Sequence, residues 1–238
     1  MNSITILGVR VDDVSPGETL ELIESFIAQR ALHQIATVNV EFIMAAQDDP
    51  EFRDTLNATA LNVPDSIGVM WAARRLGRPL RERVAGSDLV GWIAQRASRE
   101  RWKLYLLGAA EGIAQKAADV WQSRYPGINI VGTFSGSARR EEEASIVERI
   151  RDAAPDILFV AYGAPTQDLW IARNIEKMGV PVCVGVGGAL DFVAGVTQRA
   201  PRWVRRVGLE WLHRLIRQPW RWRRMLALPR FVWKVWRA

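Results

Sequence analysis

Short apolar runs alternate along most of the chain with longer stretches whose apolar residues recur at helical spacing. Runs of strand length occur at 4–11, 34–38, 58–63, 102–107, 128–134, 156–162 and 180–186. Between most of them, apolar residues return every three or four positions, which is the pattern of an amphipathic helix. Strand–helix alternation is typical of a mainly parallel sheet with helices on both faces. The sequence therefore predicts an α/β fold.

One stretch, residues 61–68, puts a carboxylate at the end of a predicted strand. Pro64 ends the run, because it has no N–H to donate and its φ is fixed. Asp65 and Ser66 follow, and either can cap the helix that the next apolar residues predict. The carboxyl ends of the strands form the edge at which open α/β sheets bind ligands. Asp65 is thus either a helix cap or a functional carboxylate, and the residues alone leave both open.

Four further predicted strands end in turns that parallel pairing would bring to the same edge. These turns are Thr37-Val38-Asn39, Gly108-Ala109, Gly163-Ala164-Pro165 and Gly187-Gly188. Glycine there lets a phosphate or a sugar approach the backbone, and the N-terminus of the following helix favours an anion. Glycine is also common in turns for conformational reasons alone. No Gly-x-Gly-x-x-Gly motif follows the first strand, which argues against an ordinary dinucleotide-binding enzyme.

The charge of the chain is divided unevenly. Residues 199–238 hold twelve Lys or Arg and one acidic residue, a net charge of +11, together with six of the eleven tryptophans. Residues 1–198 hold 20 basic and 25 acidic side chains, a net charge of −5. The sequence therefore predicts two parts: a body, residues 1–198, and a basic, Trp-rich helical appendage, residues 199–238.

The appendage shows apolar residues in helical register. Val204, Val207, Trp211 and Leu215 share one side, and most arginines lie on the other. A basic amphipathic helix with tryptophan is typical of an element that lies on an anionic membrane surface. A helix packed on its own domain with a solvated basic face is the first alternative. Nucleic-acid binding is disfavoured, because the tryptophans lie at helical spacing and not on a strand platform for stacking bases.

Composition excludes several kinds of site. The single cysteine, Cys183, rules out an internal disulfide framework and lies in an apolar run, where a buried, inert thiol is expected. His33 and His213 have no companion at ligand spacing, and no Asp-x-Asp pair occurs. Residues 1–20 show no signal peptide, and no run of about 18 uncharged apolar residues exists. We therefore expect a cytoplasmic protein that uses neither a metal nor another cofactor.

The chain resembles the WecG/TagA/CpsF glycosyltransferases. The motifs that carry the resemblance are 37–39, 62–68, 81–89, 163–167, 186–192, 199–203 and 208–214, and it extends from about residue 4 to 225. It implies a Rossmann-like body and an inverting transfer of a sugar from a UDP-sugar to a polyprenyl-diphosphate-linked saccharide. The sugar would be of N-acetylmannosamine, glucuronic acid or glucose type. The implied setting is cell-surface polysaccharide or teichoic-acid-type synthesis, with the enzyme peripheral on the inner face of the cell membrane and no essential metal.

The resemblance also implies roles for individual residues, with Asp65 matching the proposed catalytic base. Thr37, Asn39, Arg83 and Gln167 match residues of the same pocket. In the appendage, Arg214, Arg221 and Arg224 match arginines thought to cover the diphosphate. Together with these, the predicted substrate-binding residues are Gly108, Gly163, Pro165, Gly187, Gly188 and Asp191.

These residue types suit the implied chemistry. A carboxylate can take the proton of the acceptor hydroxyl as that hydroxyl attacks the anomeric carbon. The negative charge of the departing UDP must then be met by arginines and backbone N–H groups. The alternative is a non-catalytic nucleotide or nucleic-acid binding module with a basic arm, whose binding would depend steeply on salt. The sequence leaves the sugar, the linkage and the polymer open, and it is compatible with a homo-oligomer.

Overall fold

The computed structural model describes residues 1–198, 200–201, 204, 212, 215–216 and 226–238. Its strands are β1 (Ser3–Ile6), β2 (Val9–Asp12), β3 (His33–Val38), β4 (Leu61–Pro64), β5 (Lys103–Gly108), β6 (Asn129–Phe134), β7 (Ile157–Ala161) and β8 (Val182–Gly185). Its helices are α1 (Pro16–Gln29), α2 (Val40–Asp48), α3 (Pro50–Ala58), α4 (Ile67–Arg75), α5 (Gly86–Glu100), α6 (Ile113–Arg124), α7 (Arg140–Ala153), α8 (Thr166–Met178), α9 (Ala189–Val193) and α10 (Ala227–Arg237). Within this part of the chain, no helix is both long enough and apolar enough to span a bilayer.

Six strands form one parallel sheet in the order β4-β3-β8-β7-β5-β6. This confirms the predicted α/β fold with a Rossmann-like, parallel sheet. Because every strand runs in the same direction, all the turns that follow the strands lie at one edge, which we call the carboxyl edge. Strands β3 and β8 pair directly, so the turns after β3 and after β8 are neighbours there.

Alternate strand residues enter separate cores on the two faces of the sheet. Leu104 and Leu106 of β5 pack with apolar residues of α1, α5, α6 and α9 on one face. Tyr105 and Leu107 pack on the other face with residues of α7 and α8. Residues of α2, α3 and α4 form a further core with the first two strands. Burial on both faces explains why these strands are near-continuous apolar runs.

The first predicted strand is in fact a hairpin. The prediction of one strand over residues 4–11 is wrong, because Leu7 (φ 48°) and Gly8 (φ 84°) form a two-residue turn between β1 and β2. Positive φ at both central residues is the geometry of a tight hairpin turn. Strand β2 lies beside β4, where Asp12 Oδ2 accepts the Asn62 N–H at 2.7 Å. The hairpin therefore covers the open edge of the sheet next to β4.

Helix α10 packs against α2 and α4. Phe231 and Val235 are each 1% exposed there, and the Phe231 ring lies 6.4 Å from the Trp71 ring. On its outer face, Trp233 is 55% exposed and Trp236 is 65% exposed. Most of residues 199–225 lie outside the described residues, and the division of the chain at 198/199 stays a prediction.

Candidate active site

Asp65 lies directly after β4 at the carboxyl edge. Its backbone N–H donates to the Val38 carbonyl at 2.9 Å and so extends the pairing with β3 by one bond. The cap of α4 is Ser66, whose Oγ accepts the Val69 N–H at 3.3 Å. Asp65 instead reaches a different helix, where its Oδ1 accepts the Gly86 N–H at 2.7 Å. Of the two caps that the sequence left open, Ser66 is thus the one in use, and the Asp65 carboxylate binds the start of α5.

Thr37, near the end of β3, lies beside the same point of α5. Its side chain is buried, and a Cβ built on Gly86 would lie 3.1 Å from the Thr37 Cβ, Cγ2 and Oγ1 atoms. Asn39 follows on the same turn and caps α2, since its Oδ1 accepts the Phe42 N–H at 3.1 Å. The structure therefore brings Thr37 and Asp65 together around Gly86, with Asn39 at the head of the neighbouring helix.

Arg83 lies half-buried in the segment between α4 and α5. This segment is fixed on both sides of Arg83. On one side, the Val84 N–H donates to the Pro64 carbonyl at 2.9 Å. On the other, the Arg81 side chain pairs with Asp13 at 3.1 Å and with Glu18 at 2.8 Å. The Arg81 guanidinium holds the pKa of Glu18 down to about 2. The backbone at Arg83 is thereby kept close to Pro64 at the end of β4.

Gln167 joins the turns that follow β7 and β8. The side chain is 1% exposed, and its Oε1 accepts the N–H of Gly163 at 3.1 Å and the N–H of Gly187 at 2.9 Å. Two half-buried N–H donors, in the turns after neighbouring strands, thus share one acceptor. The predicted pocket residue is also a structural bridge across the carboxyl edge.

The other predicted turn residues lie at the ends of β5, β7 and β8. Gly108 (φ +94°) leaves no room for a side chain, because a Cβ there would lie 2.9 Å from the Ala161 carbonyl carbon. Gly163 (φ +77°) faces open space, and the bond between Ala164 and Pro165 is cis. Gly188 precedes α9, and burial raises the pKa of the Asp191 carboxyl in that helix.

Two groups of predicted residues therefore share the carboxyl edge on adjacent strands. Thr37, Asn39 and Asp65 lie at the ends of β3 and β4, and the Gln167 bridge lies at the ends of β7 and β8. Strands in a sheet are about 4.8 Å apart, so the two groups are close enough to contact one extended substrate. The predicted arginines Arg214, Arg221 and Arg224 lie outside the described residues.

The structure adds Gly86 and Asp168 to the residues that sequence reasoning selected. Asp168 is completely buried, and neither of its carboxylate oxygens has a hydrogen-bond partner among the described residues. Burial raises the pKa of Asp168 to about 7, an increase that the neighbouring Gln167 amide partly opposes. Its sequence signal is helical spacing, because Asp168 lies in register with the buried Ile171 of α8. Gly86 carried no such signal, since a glycine in a charged loop predicts only a turn.

Other candidate chemistry lies away from this edge or is inert. His33 begins β3 at the opposite end of the sheet and stacks on Phe26 at 3.9 Å. Cys183 is buried as predicted, and burial raises the pKa of its thiol. In the described ranges, no three His, Cys, Asp or Glu side chains come together as metal ligands.

A cleft of about 340 Å³ lies between the start of α6 and the end of β6. Its lining includes Gln115 and Phe134. Because β6 and β4 are the two outermost strands of the sheet, the cleft is about 24 Å from Asp65 across five strand spacings. The cleft is therefore separate from the group around Asp65.

Comparison with known proteins gives a family match over nearly the whole chain. The model of the "Glycosyl transferase WecG/TagA/CpsF family" matches residues 4–238. An N-acetylglucosaminyldiphosphoundecaprenol N-acetyl-beta-D-mannosaminyltransferase of Bacillus subtilis (strain 168) is 34% identical over 207 residues, which cover 87% of this chain and 80% of the relative. A protein of the same name from Staphylococcus aureus (strain MW2) is 32% identical over 237 residues, which cover 99% of this chain and 92% of the relative.

Proposed function

The chain belongs to the WecG/TagA/CpsF glycosyltransferase family, and we propose that it transfers N-acetylmannosamine from a UDP-sugar to a polyprenyl-diphosphate-linked saccharide. The named activity of the relatives from Bacillus subtilis and Staphylococcus aureus supports both this sugar and an acceptor that ends in N-acetylglucosamine. The UDP part of the donor rests on the family resemblance. The reaction would take place at the inner face of the cell membrane, where lipid-linked acceptors are held.

We propose that Asp65 is the general base. The observation that carries this assignment is the position of its carboxylate at the carboxyl edge, bound to the Gly86 N–H at 2.7 Å. The carboxylate takes the proton of the acceptor hydroxyl while the hydroxyl oxygen attacks C1 of the donor sugar. The bond from C1 to the UDP oxygen breaks on the opposite side of the ring, so the configuration at C1 inverts. UDP leaves with the electron pair of that bond.

The charge of the leaving UDP is proposed to be met without a metal ion. Helices α2 and α8 begin at the carboxyl edge, after β3 and β7, and the N-terminus of a helix favours an anion. Arg83 in the body and Arg214, Arg221 and Arg224 in the appendage would add positive charge there. The absence of an Asp-x-Asp pair from the sequence supports the same proposal.

We further propose that the appendage docks on an anionic membrane surface. Helix α10 supports this, because its buried face carries Phe231 and its outer face carries the exposed Trp233 and Trp236. Arg237 lies 4.1 Å over the Trp233 ring, so cationic and aromatic groups share the outer face. Tryptophan and basic residues on one face are the composition of interfacial helices. Assembly as a homo-oligomer stays a prediction.

The test is release of UDP from a panel of UDP-sugars, with and without a short-chain lipid-diphosphate acceptor. UDP should appear only when the acceptor is present, with UDP-N-acetylmannosamine as the preferred donor. In Asp65→Asn, the amide oxygen still accepts the Gly86 N–H, so stability should barely change. Turnover should fall by about two to four orders of magnitude, because an amide cannot take the proton.

The matched control for this variant is Asp54→Asn, at a carboxylate that is 76% exposed on α3. This control should turn over like the wild type. Near-normal turnover by Asp65→Asn would reject the base assignment. Binding of nucleic acid with a steep salt dependence, and no transferase activity, would favour the non-catalytic module.

A further inference from the structure

Gly86 is the point at which Asp65 and Thr37 meet. It is the first residue of α5, and the residue before it, Ala85, makes no side-chain cap bond to the helix. Its N–H donates instead to Asp65 Oδ1 at 2.7 Å, an acceptor that lies 21 residues earlier in the chain. An ionised acceptor makes such a bond stronger than a neutral one. The start of α5 therefore fixes one oxygen of the Asp65 carboxylate.

The missing side chain of Gly86 has a spatial reason. The φ of Gly86 is outside the left-handed region, so the backbone conformation itself does not require glycine. A Cβ at this position would lie 3.1 Å from three atoms of Thr37, which is closer than most real Cβ contacts. A side chain at this position would therefore require the Thr37 side chain to shift by a few tenths of an ångström.

The position of Gly86 is itself fixed by the segment that precedes it. The Val84 N–H donates to the Pro64 carbonyl at 2.9 Å, directly before Asp65 in the chain. Arg81 anchors the same segment to the body through Asp13, whose Oδ1 accepts the Arg81 N–H at 2.8 Å. Both the donor and the acceptor of the Gly86–Asp65 bond are thus attached to the end of β4.

We propose that Gly86 is a positioning residue for the transfer: its N–H orients the Asp65 carboxylate, and its lack of a side chain lets Thr37 stand beside that carboxylate. This inference rests on the proposed role of Asp65 as the base. Gly86 touches neither substrate in this scheme and acts through the other two residues.

Two variants separate the effect of the Gly86 N–H from the effect of the space that its missing side chain leaves beside Thr37. Gly86→Ala adds a Cβ and keeps the N–H, whereas Gly86→Pro adds a Cβ and removes the N–H. Proline is well tolerated at the first position of a helix. Ala85 (φ −68°, ψ 126°) already has the extended conformation that precedes proline. Gly91→Ala, in the same helix but facing open space, is the matched control and should keep wild-type activity.

The expected result is a kcat for Gly86→Pro that is about 10- to 100-fold below that of Gly86→Ala, as for loss of one charge-assisted hydrogen bond. The KM for the UDP-sugar should stay within about threefold, because the change affects the base and not the donor. Activity of Gly86→Pro should also be lost at a higher pH on the acid side of the profile. Equal kcat values and equal pH profiles for the two variants would overturn the proposal.

A measurement on the wild-type enzyme keeps the proposal testable if Gly86→Pro does not fold. The NMR shift of the Gly86 amide proton should change with pH over the same range in which activity is lost on the acid side. Asp88 lies two residues away, so the titration is repeated in Asp65→Asn, where an effect of Asp88 would persist. The change should vanish in that variant. No change in the wild type, or the same change in Asp65→Asn, would overturn the proposal.

Failure of the inference and failure of the proposed function give different results. If Asp65→Asn turned over normally, the base assignment would fall, and the positioning role would fall with it. If Asp65→Asn were inactive while Gly86→Pro matched Gly86→Ala, only the role of Gly86 would be rejected.

Discussion

Asp168 combines complete burial with a titratable carboxyl group. It packs beneath the carboxyl edge, where its Oδ1 would lie 2.8 Å from a Cβ built on Gly185. Neither of its oxygens finds a hydrogen-bond partner among the described residues. Desolvation disfavours the charged form of such a group, and this cost should appear in the pH dependence of stability.

The substitution Asp168→Asn tests this cost. The pKa of Asp168 rises from its ordinary value of 3.8 to about 7 in the folded protein. The folded protein therefore keeps this proton between about pH 4 and pH 7 while the unfolded chain loses it, and the free energy of unfolding falls as the pH rises through that range. The asparagine variant should lack this fall, so its free energy of unfolding relative to the wild type should rise by about 2–4 kcal/mol between pH 5 and pH 8.

Urea unfolding at pH 5 and at pH 8 measures this difference. Asp152→Asn, at a carboxylate that is 72% exposed, is the control and should follow the wild type at both pH values. An equal change with pH in the wild type and in Asp168→Asn would show that Asp168 is not the group that titrates.

At the level of single residues, the sequence could predict where a functional side chain lies along its own strand. Asp65 after Pro64 is visible as a carboxylate at a strand end, and the structure has it there. The bond from Gly86 to Asp65 was not predictable, because it joins positions 21 residues apart. The two bonds to Gln167 likewise depend on the side-by-side positions of β7 and β8, which no local pattern encodes.

At the level of elements, α10 has two faces with different expected roles. Phe231→Ala removes a ring that is 1% exposed against α2 and α4, and should lower the free energy of unfolding by about 3–5 kcal/mol. Trp233→Ala with Trp236→Ala changes two exposed rings, and should alter stability by about 1 kcal/mol or less. The double variant should instead bind less to anionic vesicles, because interfacial tryptophan supplies the apolar part of docking.

Denaturant unfolding and co-sedimentation with phosphatidylglycerol vesicles separate the two faces of α10. Val232→Ala is the control. It also shortens an exposed apolar side chain of α10, but it leaves both tryptophan rings in place. Unchanged vesicle binding by the double tryptophan variant would mean that the outer face of α10 is not the docking surface.

The sequence predicted a helical appendage, but not which apolar side of α10 faces inward. Phe231 and Trp233 are both aromatic, and only the packing against Trp71 distinguishes them. The hairpin of β1 and β2 was missed for a related reason. Leu7 has a positive φ of 48°, which a leucine does not predict. The sequence therefore predicts one continuous apolar strand where the structure has a turn.

At the level of the whole molecule, alternation of strands and helices was enough to predict the parallel sheet. The order of the strands was not predictable. Periodicity identifies the strands, but it does not determine beside which earlier strand each new strand pairs. Strand β8 is the last of the sheet in sequence and yet pairs with β3 and β7 in its middle. That insertion is what brings the Gln167 bridge next to the strand that carries Thr37.

Metal independence is a prediction about the whole enzyme. Turnover in a large excess of EDTA should stay within about twofold of the untreated rate, and added Mg²⁺ or Mn²⁺ should raise it no further. The reason is that arginines and helix N-termini would balance the charge of the leaving UDP. Loss of activity in EDTA that Mg²⁺ or Mn²⁺ restores would contradict this prediction.

Helix α10 also sets the order in which the protein can be completed during synthesis. Arg230 of α10 pairs with Asp48 of α2, which is made 182 residues earlier. At about 5–20 residues per second, a ribosome needs roughly 10–40 s to make that interval. Until α10 is made, the nascent chain exposes the apolar surface of α2 and α4 that α10 later buries. Chaperones protect exposed apolar surface of this kind on a growing chain. The basic residues before α10 are made first. Helix α10 can therefore cover α2 and α4 only after most of the segment proposed to bind the membrane has been synthesised.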